Sequence, residues 1–130
     1  MDAMLDIETL DTANSAVVFQ IAVVLFDENC KATSNVLIDL QVQEQLDRGR
    51  TVSESTLAFC TDPDLSGNAH EALSKHFDPD YMVYDALEAL DAFLVEADEI
   101  WSKGSFDFNV LTSLYACAKM DVPWKYHQCR

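Results

Sequence analysis

Basic residues are scarce in this chain. Eight Lys+Arg stand against 23 Asp+Glu, a net charge of -15 over 130 residues. That balance excludes a general-purpose nucleic-acid binder, which gains affinity by neutralising phosphates with Lys and Arg. Any nucleic-acid chemistry on such a surface must depend on divalent cations and a locally neutral site. Histidine is equally thin, with 3 in the chain, and the 4 cysteines (Cys30, Cys60, Cys117, Cys129) form no CxxC pair. A structural zinc site is therefore not expected. Scattered thiols suit a reducing cytosol, so the expected location is cytoplasmic. Long hydrophobic runs are missing too. The longest, Ala16 to Phe26, is interrupted by Gln20 and is about half the roughly 20 residues a membrane helix needs. No basic n-region leads into an apolar h-region, so neither a secretory signal nor a membrane partner is expected. No internal repeat, low-complexity tract or linker is visible, and the length is that of one domain, 1–130.

What is present is material for a core. Hydrophobic content is 49%, too much for a disordered acidic tail. Ala3 to Glu8 is a short apolar segment with acids at alternate positions, which predicts a strand with Asp6 and Glu8 on one face. Thr9 to Ser15 has loop chemistry. Val17 to Phe26, rich in β-branched and aromatic residues, predicts a buried strand. A turn at Asp27-Glu28-Asn29 leads to a third strand over Ala32 to Leu40, completing an antiparallel meander. Gln41 to Arg50 is polar, a short helix or a loop. Ser53 is a candidate N-cap for a helix through Cys60, followed by a loop over Asp62 to Gly67. A helix is expected from Asn68 to His76, then a loop at Asp78-Pro79-Asp80. Tyr84 to Ala97 is the clearest helix, with Leu87, Leu90, Phe93 and Leu94 at helical spacing. Glu99 to Ser102 predicts a short strand. Asp107 to Met120 predicts an amphipathic helix, ended at Pro123. The order β-β-β, helices, β-α predicts an α/β fold with a mixed sheet, the meander plus one parallel strand.

The informative feature is Asp6 and Glu8 on a core strand, because Asp and Glu are rarely buried unless paired or metal-bound. Two carboxylates on one strand face can coordinate Mg²⁺ or Mn²⁺. Asp107 opens a helix just after a short strand. If that strand lies beside the first, Asp107 faces the same pocket. Three converging carboxylates are the minimum for two-metal phosphodiester chemistry. A plainer reading stands beside this one. An Asp-x-Glu arises by chance in an acidic chain, and Asp107 is also where the helix dipole favours an acid. Arg48, Arg50 and Lys103 lie in loops near these strands, either to meet a phosphate or as ordinary solvated surface.

The words around the acids carry a resemblance. MLDIETLDTANSAVVFQIAVVLFD resembles the first motif of the DnaQ-like, DEDD-type 3'-5' exonucleases, an acid-x-acid-Thr strand followed by a loop and an Ile/Val-rich strand. WSKGSFDFNVLTSLY resembles their second motif. The likeness is strongest to the phage exonuclease A, exonuclease VIII and Rv2179c-like exoribonuclease branch. Ser53 to Phe59 and Trp124 to Tyr126 also have counterparts there. The resemblance implies a ribonuclease H-like fold and a metal-dependent 3'-5' exonuclease acting on a single-stranded DNA or RNA 3' end, of phage or prophage origin. It implies that Asp6, Glu8 and Asp107 are the catalytic acids and hold Mg or Mn. It implies that Thr9 and Leu10 contact the 3'-terminal nucleotide and that Phe106 and Phe108 flank the metal acid; both rings also read as core packing. Homodimers are common in the superfamily.

One part of the pattern is missing. The family's third motif, a His about five residues before an Asp on a late helix, has no counterpart. His127 has no following Asp, and His70 and His76 read as surface residues. No general base is found, and the family's last strand and helix are expected to be lacking, the domain being C-terminally incomplete. Activity of this chain alone is therefore expected to be weak, since loss of the base removes typically 10²–10⁴-fold. The alternative is a catalytically inactive acidic nuclease fold that binds a basic host protein.

Overall fold

The computed structural model describes residues 1–67, 69–70 and 81–124. Most of the helix expected over 68–76, the loop at 78–80, and His76 and His127 lie outside the described residues. The first three strands are β1 (Asp2–Thr9), β2 (Val18–Phe26) and β3 (Ala32–Asp39). They form the expected meander, β1 antiparallel to β2 and β2 antiparallel to β3. The tight β2–β3 turn is built by Asp27, whose carboxylate accepts the backbone N–H groups of Asn29 and Lys31 at 2.9 and 3.0 Å. β4 (Ile100–Trp101) pairs parallel to β1, with Ala3 opposite Ile100 and Met4 opposite Trp101. The sheet order is β3-β2-β1-β4, which places the acid-bearing strand inside the sheet.

Alternation along β1 buries Ala3, Leu5 and Ile7. With Ile21, Val23 and Leu25 of β2 and Ile38 of β3 they form the main core, against α4 (Val83–Leu94) and α5 (Phe106–Cys117). On the other face, among the described residues, Met4 and Leu37 stay 45% and 63% exposed.

Among the described residues, three shorter helices with defined bounds precede these two. The polar segment after β3 forms α1 (Val42–Asp47). Its amphipathic signal is weak because what it buries is an amide. Gln45 is fully buried, and its side chain pairs with the backbone of Val18 as a neighbouring strand would, accepting from the amide at 2.8 Å and donating to the carbonyl at 2.7 Å. α2 (Glu54–Thr61) starts at Ser53, whose hydroxyl accepts the Thr56 N–H at 3.2 Å. The expected loop over 62–67 contains α3 (Pro63–Ser66) instead, with Asp62 capping the Asp64 N–H and proline at the first position, where a missing N–H costs nothing.

α5 stops at Cys117, before the expected Met120. Lys119 adopts a left-handed backbone, φ 57°. The Lys119 N–H then reaches Ala116 O at 3.1 Å and the Met120 N–H reaches Tyr115 O at 3.0 Å. This is the Schellman closure of a helix, made here without glycine, and it ends α5 upstream of the proline.

Candidate active site

The three acids meet because β4 is short. Odd-numbered residues of β1 turn their N–H groups toward β4, and Ala3 donates to Glu99 O at 2.8 Å. β4 ends at Trp101, so the Ile7 N–H has no strand partner on that side. A buried N–H must find one. The chain turns at Lys103-Gly104-Ser105, with Gly104 at φ 83° and the Ser102 hydroxyl donating to Gly104 O at 2.6 Å. It then enters α5, and Asp107 in the first helical turn accepts the Ile7 N–H at 3.3 Å. Asp107 is thereby buried, 8% exposed, against β1.

Asp6 and Glu8 project from the opposite side of the strand to Leu5 and Ile7. Asp6 is exposed and Glu8 half-buried, so the two acids share the outer face of a core strand. They line the rim of the core. Burial pushes the Asp107 carboxyl up to about 6; the Asp6 charge and a shared hydrogen bond with Asp6 add to this, and the Ile7 N–H opposes it. Glu8 is pushed up to about 7, by burial first and then by the charges of Asp6 and Asp107. The three carboxyls are thus close enough to repel one another. A set of carboxylate oxygens with unrelieved repulsion suits a hard divalent cation such as Mg²⁺ or Mn²⁺. Among the described residues no group of three or more His, Cys, Asp or Glu is drawn tightly enough together to enclose an ion. The carboxylates are therefore coupled electrostatically without forming a closed ligand sphere.

Beside them lies a cleft of about 330 Å³. Glu8 and Thr9 from β1, Asp11 and Thr12 from the following loop, Thr56, Phe59 and Cys60 from α2, and Phe106 from α5 line it. The loop is held from several sides. Leu10 N donates to Val17 O at 2.9 Å and Ser53 N to Leu10 O at 2.9 Å, tying the strand end to the start of α2. The Thr51 hydroxyl, the Thr12 and Ala13 amides and the Ser53 hydroxyl all point at Asp11 and hold its carboxyl below its ordinary range. Beneath the cleft, Leu10, Val17, Phe19, Cys60 and Ala69 form a second apolar cluster. The Cys60 thiol packs on Thr9 O at 3.6 Å, and its pKa is raised by burial and by Glu8.

The structure brings Asp6, Glu8 and Asp107 together and sets Thr9 and Phe106 in the cleft wall. It places Leu10 and Phe108 elsewhere. Leu10, 4% exposed, belongs to the cluster under the cleft, because its backbone is pinned between Val17 and Ser53. Phe108, 3% exposed, faces the main core and meets the edge of Trp124 at 5.2 Å. One helical turn cannot present residues 106 and 108 to the same side.

Arg50 is neither a phosphate ligand nor solvated surface. It is buried; its Nε and Nη2 donate to Ala16 O at 3.0 and 2.8 Å, Nη2 also to Asn14 O at 3.2 Å, and Nη1 to the Ser113 hydroxyl at 2.9 Å. It clasps the end of the cleft loop to α5. Arg48 is held by Cys117 O and Glu44. Lys103 is exposed on the turn before α5. Phe59 is a cleft residue that only the resemblance of the 53–59 segment hinted at; no periodicity marks a ring left 46% exposed beside a loop.

A mixed sheet of three antiparallel strands and one parallel strand, flanked by helices, with an acid-bearing strand inside it, is an α/β architecture of the ribonuclease H-like kind. A family model for the 3'-5' exoribonuclease Rv2179c-like domain matches residues 1–130, and the chain belongs to that family. Among curated proteins no match is found. Among the described residues no helix is long and apolar enough to cross a membrane.

Proposed function

We propose that this chain is a divalent-metal-dependent 3'-5' exonuclease domain of the DEDD type that removes nucleotides from single-stranded RNA ends. The observation that carries this reading is the convergence of Asp6, Glu8 and Asp107 beside a cleft lined by Thr9, Phe59 and Phe106. In it the three carboxylates hold Mg or Mn, which when bound supplies water activation and stabilises the leaving oxygen. The chain's own residues do the rest. Asp107 is fixed by the Ile7 N–H, so one ligand is pre-positioned on rigid structure. Phe59 and Phe106 offer flat apolar surfaces for the terminal base. Thr9 lines the cleft, and its hydroxyl, which donates to Asp11 O at 2.8 Å, is left able to accept a hydrogen bond from the sugar.

The test is a 5'-labelled RNA incubated with the purified chain and Mn²⁺. A ladder shortened from the 3' end is expected, abolished by Asp6→Asn with circular dichroism unchanged. Equal trimming by Asp6→Asn would refute the assignment.

A further inference from the structure

Resting on the exonuclease reading, we infer that the substrate is a short oligonucleotide of a few residues, and that long single strands are disfavoured by the protein's own charge. The cleft wall contains Glu8 and Asp11 and no Lys or Arg among the described residues. The positions of the described cations explain why none serves as a track for a phosphate backbone. Lys31 is in the β2–β3 turn, whose strands bring it to the Asp2 end of β1, away from Glu8. Arg50 is buried on carbonyls, and Arg48 is held at Cys117 O. Lys119 closes the far end of α5 from Asp107. Lys103 alone of the five lies at the α5 entry, where it can meet one phosphate.

Just outside the cleft the described side chains include further acids. Exposed Glu54 flanks the lining residues Ser55 and Thr56, and Asp64 of α3 is exposed as well. Proteins that follow a nucleic-acid strand gain affinity per phosphate neutralised, and that affinity falls with salt. Here each phosphate beyond the first one or two enters the field of a body carrying -15 and finds no cation among the described residues. Bound metal ions and the aromatic walls would hold the terminal nucleotide, and among the described residues no further cation rewards greater length. Binding therefore saturates at a few nucleotides, and the salt dependence for long strands is inverted, because screening weakens repulsion.

The experiment compares single-stranded RNAs of about 3 and about 24 nucleotides with the same 3' sequence, at low and at roughly tenfold higher KCl. It reads kcat/KM with Mn²⁺ and, separately, equilibrium binding by fluorescence anisotropy with Ca²⁺. The trimer is expected to be bound and cut at least as well as the long strand at low salt. The long strand is expected to improve about two- to threefold as salt rises while the trimer holds steady. Glu54→Lys should selectively improve the long strand and shift its salt slope by about −0.7, from positive to weakly negative. Tighter binding of the long strand that weakens with salt in the unaltered chain would overturn the inference and leave the exonuclease reading intact. The expected binding pattern without cleavage at any length would support the inference and sink the exonuclease reading. No binding of either strand would overturn both.

Discussion

Replacing Glu8 by glutamine should make the metal-free protein more stable at alkaline pH. Glu8 sits at about 7 in the folded chain against an ordinary value of 4.5, driven by burial and by the neighbouring Asp6 and Asp107 charges. A carboxyl raised on folding favours the folded state fully below its unfolded pKa, and that contribution is lost as pH rises through the folded value. At pH 8 the folded protein therefore carries an ionised Glu8 that it would rather keep protonated. The full displacement corresponds to roughly 3 kcal/mol at about 1.4 kcal/mol per pH unit. Solvent at the rim screens part of it, which leaves about 1–2 kcal/mol. Glutamine keeps the shape and removes the charge. Thermal melts without metal should show Glu8→Gln about 4–8 °C above the parent at pH 8, and level with it near pH 4.5. Added Mn²⁺ should raise the parent's melting temperature at pH 8, do little at pH 5, and have a reduced effect on the variant. A variant that melts lower at pH 8, or an equal gain at both pH values, would refute the electrostatic account. The stability given up at neutral pH is then the cost of keeping a cation site ready.

Three further outcomes follow from the packing. Arg50→Lys should destabilise the chain by about 2 kcal/mol or more in urea melts, since an ammonium cannot reproduce a fork directed at Ala16 O, Asn14 O and the Ser113 hydroxyl. Lys119→Gly should stabilise it by about 0.5–1 kcal/mol, because glycine carries no penalty in the left-handed conformation that closes α5. Phe59→Ala, truncating a half-exposed ring, should change stability by less than about 1 kcal/mol and raise KM roughly tenfold for a short RNA, the size of one lost base-stacking contact.

The sequence made β1 and β2 legible because one alternates and the other is a β-branched run. A parallel fourth strand is expected from the sequence, its place beside β1 only as a condition, and the structure supplies that place. The long helices were legible from spacing, and their ends were not. Val83 is satisfied not by a local cap but by Glu44 of α1, which accepts its N–H at 2.7 Å. α5 ends on the backbone of Lys119, a residue with no helix-stop signature. Of the residues singled out at the candidate site, the acids, Thr9 and Phe106 lie at the cleft, whereas Leu10 and Phe108 do not. Leu10 follows the acid-x-acid-Thr words directly, yet the hydrogen bonds that shape the loop turn it under the cleft. Arg50 looks like any loop cation until Ala16 O and Asn14 O are found pointing at it. Long-range backbone acceptors leave no local pattern to read.

The bond from Ile7 to Asp107 spans 100 residues, and β1 acquires its parallel neighbour only when Ile100 arrives. The meander closes through short turns, so it is the fast part of folding. The β1–β4 junction requires the costliest chain closure and comes late. Until then the early acids are two ordinary side chains on a hairpin, with no third oxygen donor and no cleft wall from Phe106. On the proposed function, a molecule in which the β1–β4 junction has not closed lacks the assembled acid cluster and could not act on RNA.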